Sequence, residues 1–317
     1  MALELSRSRI VVTGAAGLIG RHVVRRLLQA GADVVAVDRV PLEEAPPEDA
    51  PGRLEEVTAD VRDGERLRAS LDGAQGVVHL ASLLTYAADR HPREGVDGAL
   101  GAAIDVFEAM SSVPDHRVVF ASSVSVYGAA DDPEHVIVED DPLRGRLLYA
   151  ISKIATELYA EGFQRSRGLS WLGLRFGTVY GPGQHREGVL PRFLHGVLDD
   201  VDAGRRPVVE FEPDAEYDLV YVEDVAECVL RSLTAPRDGL ALNVVTGRSV
   251  RLEEAFGELL DAYGADATID WQPGGSPLPA RRQFGTARLA EVLGYVPDTP
   301  LRQGLEAFVA WRGRPGG

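Results

Sequence analysis

Short runs of β-branched and other apolar residues alternate with helix-patterned segments over the first half of the chain. Uninterrupted apolar runs are typical of strands buried on both faces, and apolar residues that recur every three or four positions are typical of amphipathic helices. This alternation predicts an α/β fold built on a doubly wound parallel sheet. The predicted strands cover 9–13, 33–38, 54–60, 76–81, 117–122 and 169–176, and the predicted helices cover 18–30, 63–71, 92–112 and 148–167.

The pattern loosens after Gly177. Glycine and proline residues in 180–184 and 272–279 predict a turn and a loop. The apolar residues around them predict a smaller α+β region. Its predicted helices lie near 188–200 and from Glu223 or Asp224 onward, and its predicted strands are 208–211, 217–222 and 240–245, of which the last can return to the main sheet.

A glycine-rich segment joins the first predicted strand to the first predicted helix. Gly14, Gly17 and Gly20 let the backbone turn sharply and approach a pyrophosphate, which the helix N-terminus attracts. Asp38 ends the next strand, where a carboxylate binds ribose hydroxyls and repels a 2′-phosphate. This favours NAD, although Arg39 leaves NADP open. We predict a Rossmann-type NAD-binding domain over 1–177 with returning segments about 212–247, and a smaller α+β substrate-binding domain over 178–211 and 248–317.

Charge and cysteine content narrow the possible partners. The 317 residues include 49 acidic and 33 basic side chains, which give a net charge of −16 and disfavour binding to nucleic acid. One cysteine, Cys228, excludes an intramolecular disulfide and a cysteine-rich metal site, and it suits the cytoplasm. The sequence contains no run of about 18 apolar residues, so no membrane span is predicted. The acidic clusters at 131–132, 139–141 and 199–202 are interpreted as solvated loops, and no metal site is predicted.

The basic residues comprise 32 arginines and a single lysine, Lys153. Tyr149 precedes it by four positions, so both side chains share one face of the predicted helix. A nearby ammonium and the positive nicotinamide ring of NAD⁺ favour a tyrosinate, which lowers the pKa of the phenol toward that of a useful base. Ser123, at the carboxyl end of a strand, can hydrogen-bond the same substrate hydroxyl. We therefore predict Ser123, Tyr149 and Lys153 as catalytic residues.

Taken together, these motifs resemble the extended short-chain dehydrogenase/reductase superfamily, and within it the NAD-dependent epimerase/dehydratase family of nucleotide-sugar enzymes. The motifs are TGAAGLIG (13–20), Asp38, Asp60-Val61, HLA (79–81), SSVSVYG (122–128), Tyr149 with Lys153, LRFGTVYGPG (174–183), YDLVYVEDVAE (217–227) and 287–308. The resemblance implies NAD as cofactor, hydride transfer to and from a sugar, and a homodimer formed through the helices near 92–112 and 149–167. It implies cofactor binding by Gly14, Ala16, Gly17, Leu18, Ile19, Gly20, Asp38, Arg39, Asp60, Val61, Leu80, Ala81, Ser82, Tyr149, Lys153 and Phe176.

The residues after Ser123 help to choose among the reactions of that family. Dehydratases and decarboxylases of the group usually carry an acidic residue there, whereas this chain has Val124 and Ser125. The leading prediction is therefore a nucleotide-sugar 4-epimerase that works through a transient 4-keto intermediate. The alternative is a dehydrogenase or reductase that acts on a sugar, a polyol or a secondary-metabolite intermediate without a nucleotide diphosphate. A non-catalytic NAD sensor is a third possibility, which the complete catalytic set disfavours.

The substrate-binding segments depart from the family pattern. Tyr217 replaces an arginine that binds the nucleotide diphosphate, a second such arginine is expected near Trp271 or Gln272, where this chain has none, and Thr178 and Gly98 replace asparagines. Replacement cations could come from Arg186, Arg192, Arg281 and Arg282. The predicted substrate-binding residues are Ser123, Ser125, Thr178, His185, Arg186, Arg192, Tyr217 and Arg281.

Overall fold

Strands and helices alternate along the first half of the chain, as the apolar pattern predicts. The computed structural model describes residues 3–43, 49–82, 90–129, 132, 134–186, 189–274 and 282–313. The strands in this part of the chain are β1 (Arg9–Thr13), β2 (Asp33–Asp38), β3 (Leu54–Thr58), β4 (Gly76–His79), β5 (Arg117–Ser123), β6 (Val136–Ile137), β7 (Trp171–Phe176), β8 (Thr178–Tyr180), β9 (Val208–Val209), β10 (Glu216–Tyr221), β11 (Leu240–Val244), β12 (Ser249–Arg251), β13 (Asp270–Trp271) and β14 (Gln283–Phe284).

The helices of the same ranges differ in length from one turn to more than five. They are α1 (Leu18–Gln29), α2 (Gly64–Ser70), α3 (Pro92–Val96), α4 (Ala102–Met110), α5 (Leu148–Arg167), α6 (Val189–Asp202), α7 (Val222–Thr234), α8 (Leu252–Tyr263), α9 (Ala287–Leu293) and α10 (Leu301–Arg312). A π-helical stretch over Asp97–Gly101 joins α3 to α4, and a 3-10 turn over Val124–Tyr127 follows β5. No helix within these ranges combines the length and apolar character needed to cross a bilayer.

The main sheet is parallel throughout and has the order β11-β7-β5-β4-β1-β2-β3. Helices cover both faces: Val23 of α1 and Val225 of α7 pack on one side, and Val106 of α4 and Ala160 of α5 pack on the other. This arrangement confirms the predicted Rossmann-type fold. The return of the chain to the main sheet is also confirmed, because β11 pairs with β7 at one edge.

Register brings several strand ends to one edge of the main sheet. Thr13 at the end of β1 pairs with His79 at the end of β4, and Ser123 at the end of β5 pairs with Phe176 at the end of β7. Parallel α/β sheets bind ligands at their carboxyl edge. The predicted catalytic and cofactor residues therefore lie on the edge that such folds use for binding.

A separate apolar cluster forms within the second half of the chain. It includes Leu194 of α6, Phe256 of α8 and Phe308 of α10, all buried. The cluster packs beside a three-stranded sheet of order β12-β10-β8, in which β10 runs parallel to β8 and antiparallel to β12. The predicted smaller α+β region is therefore present.

Several sequence expectations were wrong in detail. The strand predicted over 208–211 contains only Val208–Val209, and the helix predicted over 92–112 is interrupted by the π-helical stretch. The acidic residues 199–202 belong to α6 rather than to a loop. Glu139 is also no solvated loop residue: it is 8% exposed and accepts a hydrogen bond from the Asn243 backbone N–H at 2.9 Å. A buried backbone donor needs an acceptor, and the Glu139 carboxylate supplies one.

Candidate active site

The glycine loop packs tightly between β1 and α1. Gly14 has a φ of +70°, and a Cβ there would lie 2.8 Å from the Ala81 nitrogen. A Cβ on Gly20 would lie 2.1 Å from the Gly14 carbonyl oxygen. Gly17 is the residue before α1, which begins at Leu18. No side chain at Gly17 caps the N-terminus of α1, so its backbone N–H groups and dipole suit an anionic pyrophosphate.

Asp38, the last residue of β2, contacts the glycine loop through its side chain. Its carboxylate accepts hydrogen bonds from the backbone N–H groups of Ala16 at 3.0 Å and Arg39 at 2.7 Å. These donors, with the Val40 N–H at 3.4 Å, fix the orientation of the carboxylate and leave acceptor capacity on both oxygens. The side chain of Arg39 is exposed. The arrangement suits recognition of vicinal ribose hydroxyls, which donate hydrogen bonds, and opposes a 2′-phosphate.

Asp60 follows the end of β3 and therefore lies at the same carboxyl edge of the main sheet as Asp38. The Arg62 guanidinium donates to both carboxylate oxygens, with the shortest distance 2.7 Å. This hydrogen bonding lowers the pKa of Asp60. Asp60 therefore remains an ionised acceptor. Val61 beside it is half-buried, and so are Leu80, Ala81 and Ser82 after β4.

Helix α5 carries the two predicted catalytic residues on one face. The Ser123 hydroxyl lies close enough to the Tyr149 phenol to favour the phenolate and oppose the rise in its pKa, and it accepts a hydrogen bond from the Ser125 backbone N–H at 3.1 Å. The Lys153 ammonium lies 5.4 Å from the centre of the Tyr149 ring, and the lysine is 4% exposed. The structure thus brings Ser123, Tyr149 and Lys153 together at the carboxyl edge, as the sequence predicts.

Burial is the largest cause of the pKa shifts of Tyr149 and Lys153. It raises the pKa of Tyr149, while the hydrogen bond from Ser123 acts in the opposite direction. Burial lowers the pKa of Lys153 to about 8, opposed by the negative charge of Glu157. The predicted lowering of the Tyr149 pKa by Lys153 is therefore not seen in the protein alone, where desolvation of the phenolate outweighs other effects.

His79 adds a neutral group beside the ammonium. Its Nδ1 lies 2.8 Å from the Thr13 hydroxyl, and the ring is 4% exposed. Burial and the charge of Lys153 lower the pKa of His79 to about 3. The imidazole is thus uncharged at neutral pH, and Lys153 is the cation that faces this part of the site.

A buried ionic network lies one helical turn beyond Lys153, and sequence analysis missed it. Glu157 accepts two hydrogen bonds from the Arg175 guanidinium, at 2.7 and 3.1 Å, and one from the Ser122 hydroxyl at 2.5 Å. Arg175 also donates to the Tyr127 hydroxyl at 2.7 Å. Glu157 and Arg175 are both nearly inaccessible to solvent. The available signal was the four-residue spacing of Glu157 from Lys153, which continues the face of Tyr149.

The predicted substrate-binding residues fall into two groups. Thr178 and Tyr217 are half-buried, and the buried Ser125 hydroxyl has no hydrogen-bond partner among the described residues. His185 is exposed, with Nε2 3.0 Å from the Arg21 guanidinium.

The predicted substrate arginines are more peripheral. Arg186 and Arg192 are exposed and form ion pairs with Asp199 and with Glu210. Arg281 lies outside the described residues. Arg282, in contrast, is buried. The candidate substrate-binding arginines therefore differ in burial and in ion pairing, which the sequence analysis did not distinguish.

Comparison with known proteins agrees with this site. The family model described as NAD dependent epimerase/dehydratase family matches residues 10–245. UDP-glucose 4-epimerase of Mycolicibacterium smegmatis is 29% identical over 311 residues, covering 95% of this chain and 97% of that protein. The dTDP-glucose 4,6-dehydratase of Streptomyces griseus is 30% identical over 322 residues, covering 96% and 94%.

The fold is also similar to that of a protein solved as a complex. The structure of MoeE5 in complex with UDP-glucose and NAD superposes with a TM-score of 0.84 at 31% identity, covering 96% of this chain and 98% of that one. The family model and these relatives span both the cofactor loop and the Ser123, Tyr149 and Lys153 constellation. The chain belongs to the NAD dependent epimerase/dehydratase family.

Proposed function

We propose that this protein is an NAD-dependent nucleotide-sugar 4-epimerase. The observation that carries the proposal is the Lys153 ammonium 5.4 Å from the centre of the Tyr149 ring, beside the Ser123 hydroxyl that acts on the Tyr149 phenol. When bound, NAD⁺ would supply the hydride acceptor and donor for the sugar carbon, held by the glycine loop and Asp38. The relatives support this assignment, because one is named a UDP-glucose 4-epimerase and another was solved with UDP-glucose and NAD.

Each catalytic residue has a distinct role in the proposed reaction. Tyr149 removes the proton of the sugar hydroxyl while the hydride leaves the same carbon, and it returns that proton in the second half-reaction. Ser123 orients the hydroxyl between itself and Tyr149. Lys153 supplies the positive charge that stabilises the tyrosinate, together with the nicotinamide ring. Rotation of the keto-sugar between the half-reactions gives the epimer.

The carboxyl edge offers a matching set of groups for the proposed cofactor. The loop of Gly14, Gly17 and Gly20 fits the pyrophosphate, and the Asp38 carboxylate fits the adenosine ribose. We assign the remaining contacts by position on the same edge: adenine to Asp60 and Val61, and the nicotinamide side to Leu80, Ala81, Ser82 and Phe176. Ala16, Leu18, Ile19 and Arg39 flank these groups in the loop, at the start of α1 and after β2.

The dehydratase reaction of one relative is less consistent with this site. Val124 and Ser125 follow Ser123, so no carboxylate of the 3-10 turn stands beside the reacting sugar. A net dehydrogenase or reductase is the second candidate. Tyr217, half-buried at the position of a diphosphate-binding arginine, favours it because the lost cation weakens the case for a nucleotide diphosphate.

Cofactor retention and product analysis distinguish the candidates. Freshly purified protein is denatured and its NAD⁺ and NADH are quantified by mass spectrometry, and intact protein is then incubated with nucleotide sugars. Near-stoichiometric NAD and interconversion of C4 epimers without net NADH are expected. Protein that is empty after dialysis and forms NADH in proportion to a keto product would establish the dehydrogenase instead.

We further propose a homodimer formed through α5. Leu148, Ile151, Leu158 and Tyr159 are between 44% and 55% exposed and lie on one face of this helix. A second copy is the proposed partner because an apolar helix face is covered by its own symmetry mate in an isologous interface. Sedimentation should give a dimer that Ile151→Glu converts to a monomer. A monomeric parent protein would reject the interface.

The roles of the two domains and the cellular compartment of the protein are also proposals. We propose that 1–177, with the returning segments about 212–247, binds NAD, and that 178–211 and 248–317 bind the sugar. Cys228 is buried, and the shift of its thiol pKa is upward because of burial. Such a thiol suits a reducing compartment, and we keep the cytoplasm as the predicted location.

A further inference from the structure

Arg282 has an unusual environment for a charged side chain. It is 6% exposed, and among the described residues its guanidinium makes one hydrogen bond, from Nη1 to the Val124 carbonyl oxygen at 3.0 Å. Its guanidinium carbon also lies 5.4 Å from the centre of the Phe284 ring. No acidic side chain in the described ranges forms an ion pair with it.

Within the described part of the chain, one carbonyl oxygen is the hydrogen-bond acceptor of this guanidinium. The group has five N–H donors, and a buried cation without an anionic partner is destabilising. Burial lowers the pKa of Arg282 to about 10, so the side chain is still charged at neutral pH. Exposed arginines such as Arg192 have a carboxylate partner instead. An anionic ligand would give Arg282 a counter-charge that the carboxylates of the described ranges do not supply.

The position of Arg282 is fixed by its neighbours. The Ser249 hydroxyl donates to the Arg282 carbonyl oxygen at 2.7 Å. The next two residues form β14, which pairs with β6, and the Gly285 N–H donates to the Ile137 carbonyl oxygen at 2.9 Å. The guanidinium is therefore held against Val124 before any ligand arrives, as a preorganised binding group requires.

The catalytic turn lies directly beside this cation. Val124, whose carbonyl oxygen accepts from Arg282, follows Ser123, and the Ser123 hydroxyl acts on the Tyr149 phenol. Ser125 is 5% exposed, and its hydroxyl has no partner among the described residues. A charged donor and an unsatisfied hydroxyl thus flank the residue that orients the reacting sugar hydroxyl.

We propose that Arg282 and Ser125 form a subsite for a carboxylate carried on the sugar ring, so that the enzyme prefers hexuronic acids to neutral hexoses. The inference rests on the proposed nucleotide-sugar reaction and specifies its substrate class. In a hexuronic acid the carboxylate is attached to C5, next to the C4 carbon that reacts, whereas the diphosphate is attached to C1 across the ring. A cation adjacent to Ser123 is therefore placed for the carboxylate.

Binding measurements separate this role from diphosphate recognition. The NAD-loaded enzyme is titrated calorimetrically with UDP, UDP-glucose and UDP-glucuronic acid, as the parent protein and as Arg282→Met. The parent is expected to bind UDP-glucuronic acid about a hundredfold more tightly than UDP-glucose, as a charge-assisted hydrogen-bonded pair allows. Arg282→Met should remove this preference and change the affinity for UDP by less than about twofold. Arg237→Met, an exposed arginine paired with Glu291, is the matched control.

A second variant covers the case in which Arg282→Met does not fold. Ser125→Ala removes one hydroxyl and should reduce the preference by about fivefold. Equal weakening of UDP and both sugars by Arg282→Met would assign the residue to the diphosphate and overturn the proposal. A parent protein without preference for UDP-glucuronic acid, or preference unchanged in both variants, would also overturn it. Failure to isomerise either sugar would refute the epimerase alone, because the titrations need no turnover.

Discussion

Two parts of the carboxyl edge hold charged residues in opposite ways. On α5, Lys153 and Glu157 are 4% and 3% exposed, and burial shifts the pKa of the lysine to about 8. At the proposed adenosine side, Asp38 and Asp60 remain partly accessible, and backbone N–H groups or an adjacent arginine hold them in place. The first arrangement changes the chemistry of its groups, and the second mainly orients them.

The difference follows from what each region must do. A proton-transferring face needs altered proton affinities, which only desolvation and close charges produce. A binding edge for ribose hydroxyls needs ionised acceptors, which are stable in contact with water. Substitutions on the α5 face should therefore have larger and pH-dependent effects, and substitutions at the adenosine side should affect cofactor affinity alone.

Tyr149→Phe should give the largest effect. It removes the group that accepts the proton while preserving the ring, so kcat is expected to fall between about a thousandfold and ten-thousandfold. Bound NAD should remain near-stoichiometric. Tyr159→Phe, on the exposed face of the same helix, is the control and should retain activity. A Tyr149→Phe enzyme that keeps its rate would assign the base to another residue and support a sensor role.

Glu157→Gln tests whether the buried network supports the α5 face. The change leaves Arg175 buried beside a neutral amide, and loss of one partner of a buried pair should lower the free energy of unfolding by about 4 kcal/mol. The lost negative charge should also lower the pKa of Lys153 below its present value of about 8, since Glu157 raises it. Denaturant unfolding and the pH dependence of kcat measure the two effects.

The direction of the pH change is specific to a positioning role for Glu157. The alkaline limb of the activity profile should move to lower pH, because Lys153 then loses its proton earlier. Glu161→Gln, one turn further along and ion-paired at the surface with Arg165, should change neither quantity. Loss of stability with an unmoved profile would limit Glu157 to holding the fold together.

Lys153→Met should stabilise the protein while abolishing most activity. Burial lowers the folded-state pKa of Lys153 to about 8 from an ordinary value of 10.5. Below pH 8 the lysine is charged in both states, so its burial destabilises the fold by about 3 kcal/mol. The unfolded chain binds more protons between pH 8 and 10.5, and the penalty therefore disappears as pH rises through that range. Chemical denaturation at pH 7 and 10.5 should show a stability gain only at the lower pH.

The sequence predicted the strands of the sheet and the proximity of Tyr149 and Lys153 because both depend on local spacing. The apolar runs define the strands, and Tyr149 and Lys153 share a helix face whatever the tertiary structure is. The helix predicted over 148–167 is observed with the same bounds. Ser123 was predicted at the same edge because it ends β5, and the carboxyl ends of parallel strands lie together.

Tertiary partners could not be predicted in the same way. Glu157 and Arg175 are separated by 18 residues and meet only when β7 packs beside α5. Glu139 accepts from Asn243, which is 104 residues away. The sequence likewise gives no reason why Arg282 is buried while Arg192 pairs with Glu210 at the surface. Burial, which distinguishes these residues, depends on contacts between distant segments.

Asp38→Ala should give the smallest effect and sharpen the comparison from the adenosine side. Loss of the carboxylate removes hydrogen bonds to the ribose and the acceptor for the Ala16 N–H, so the Kd for NAD should rise roughly thirtyfold, about 2 kcal/mol. Affinity for NADP should rise relative to NAD, since the repulsion of a 2′-phosphate is gone. Asp33→Ala, at the opposite end of β2, is the control for general damage to the strand. With saturating NAD the pH profile of kcat should be unchanged, because Asp38 does not contact the α5 face. A shifted profile would mean that the two regions are electrostatically coupled and would break the distinction between them.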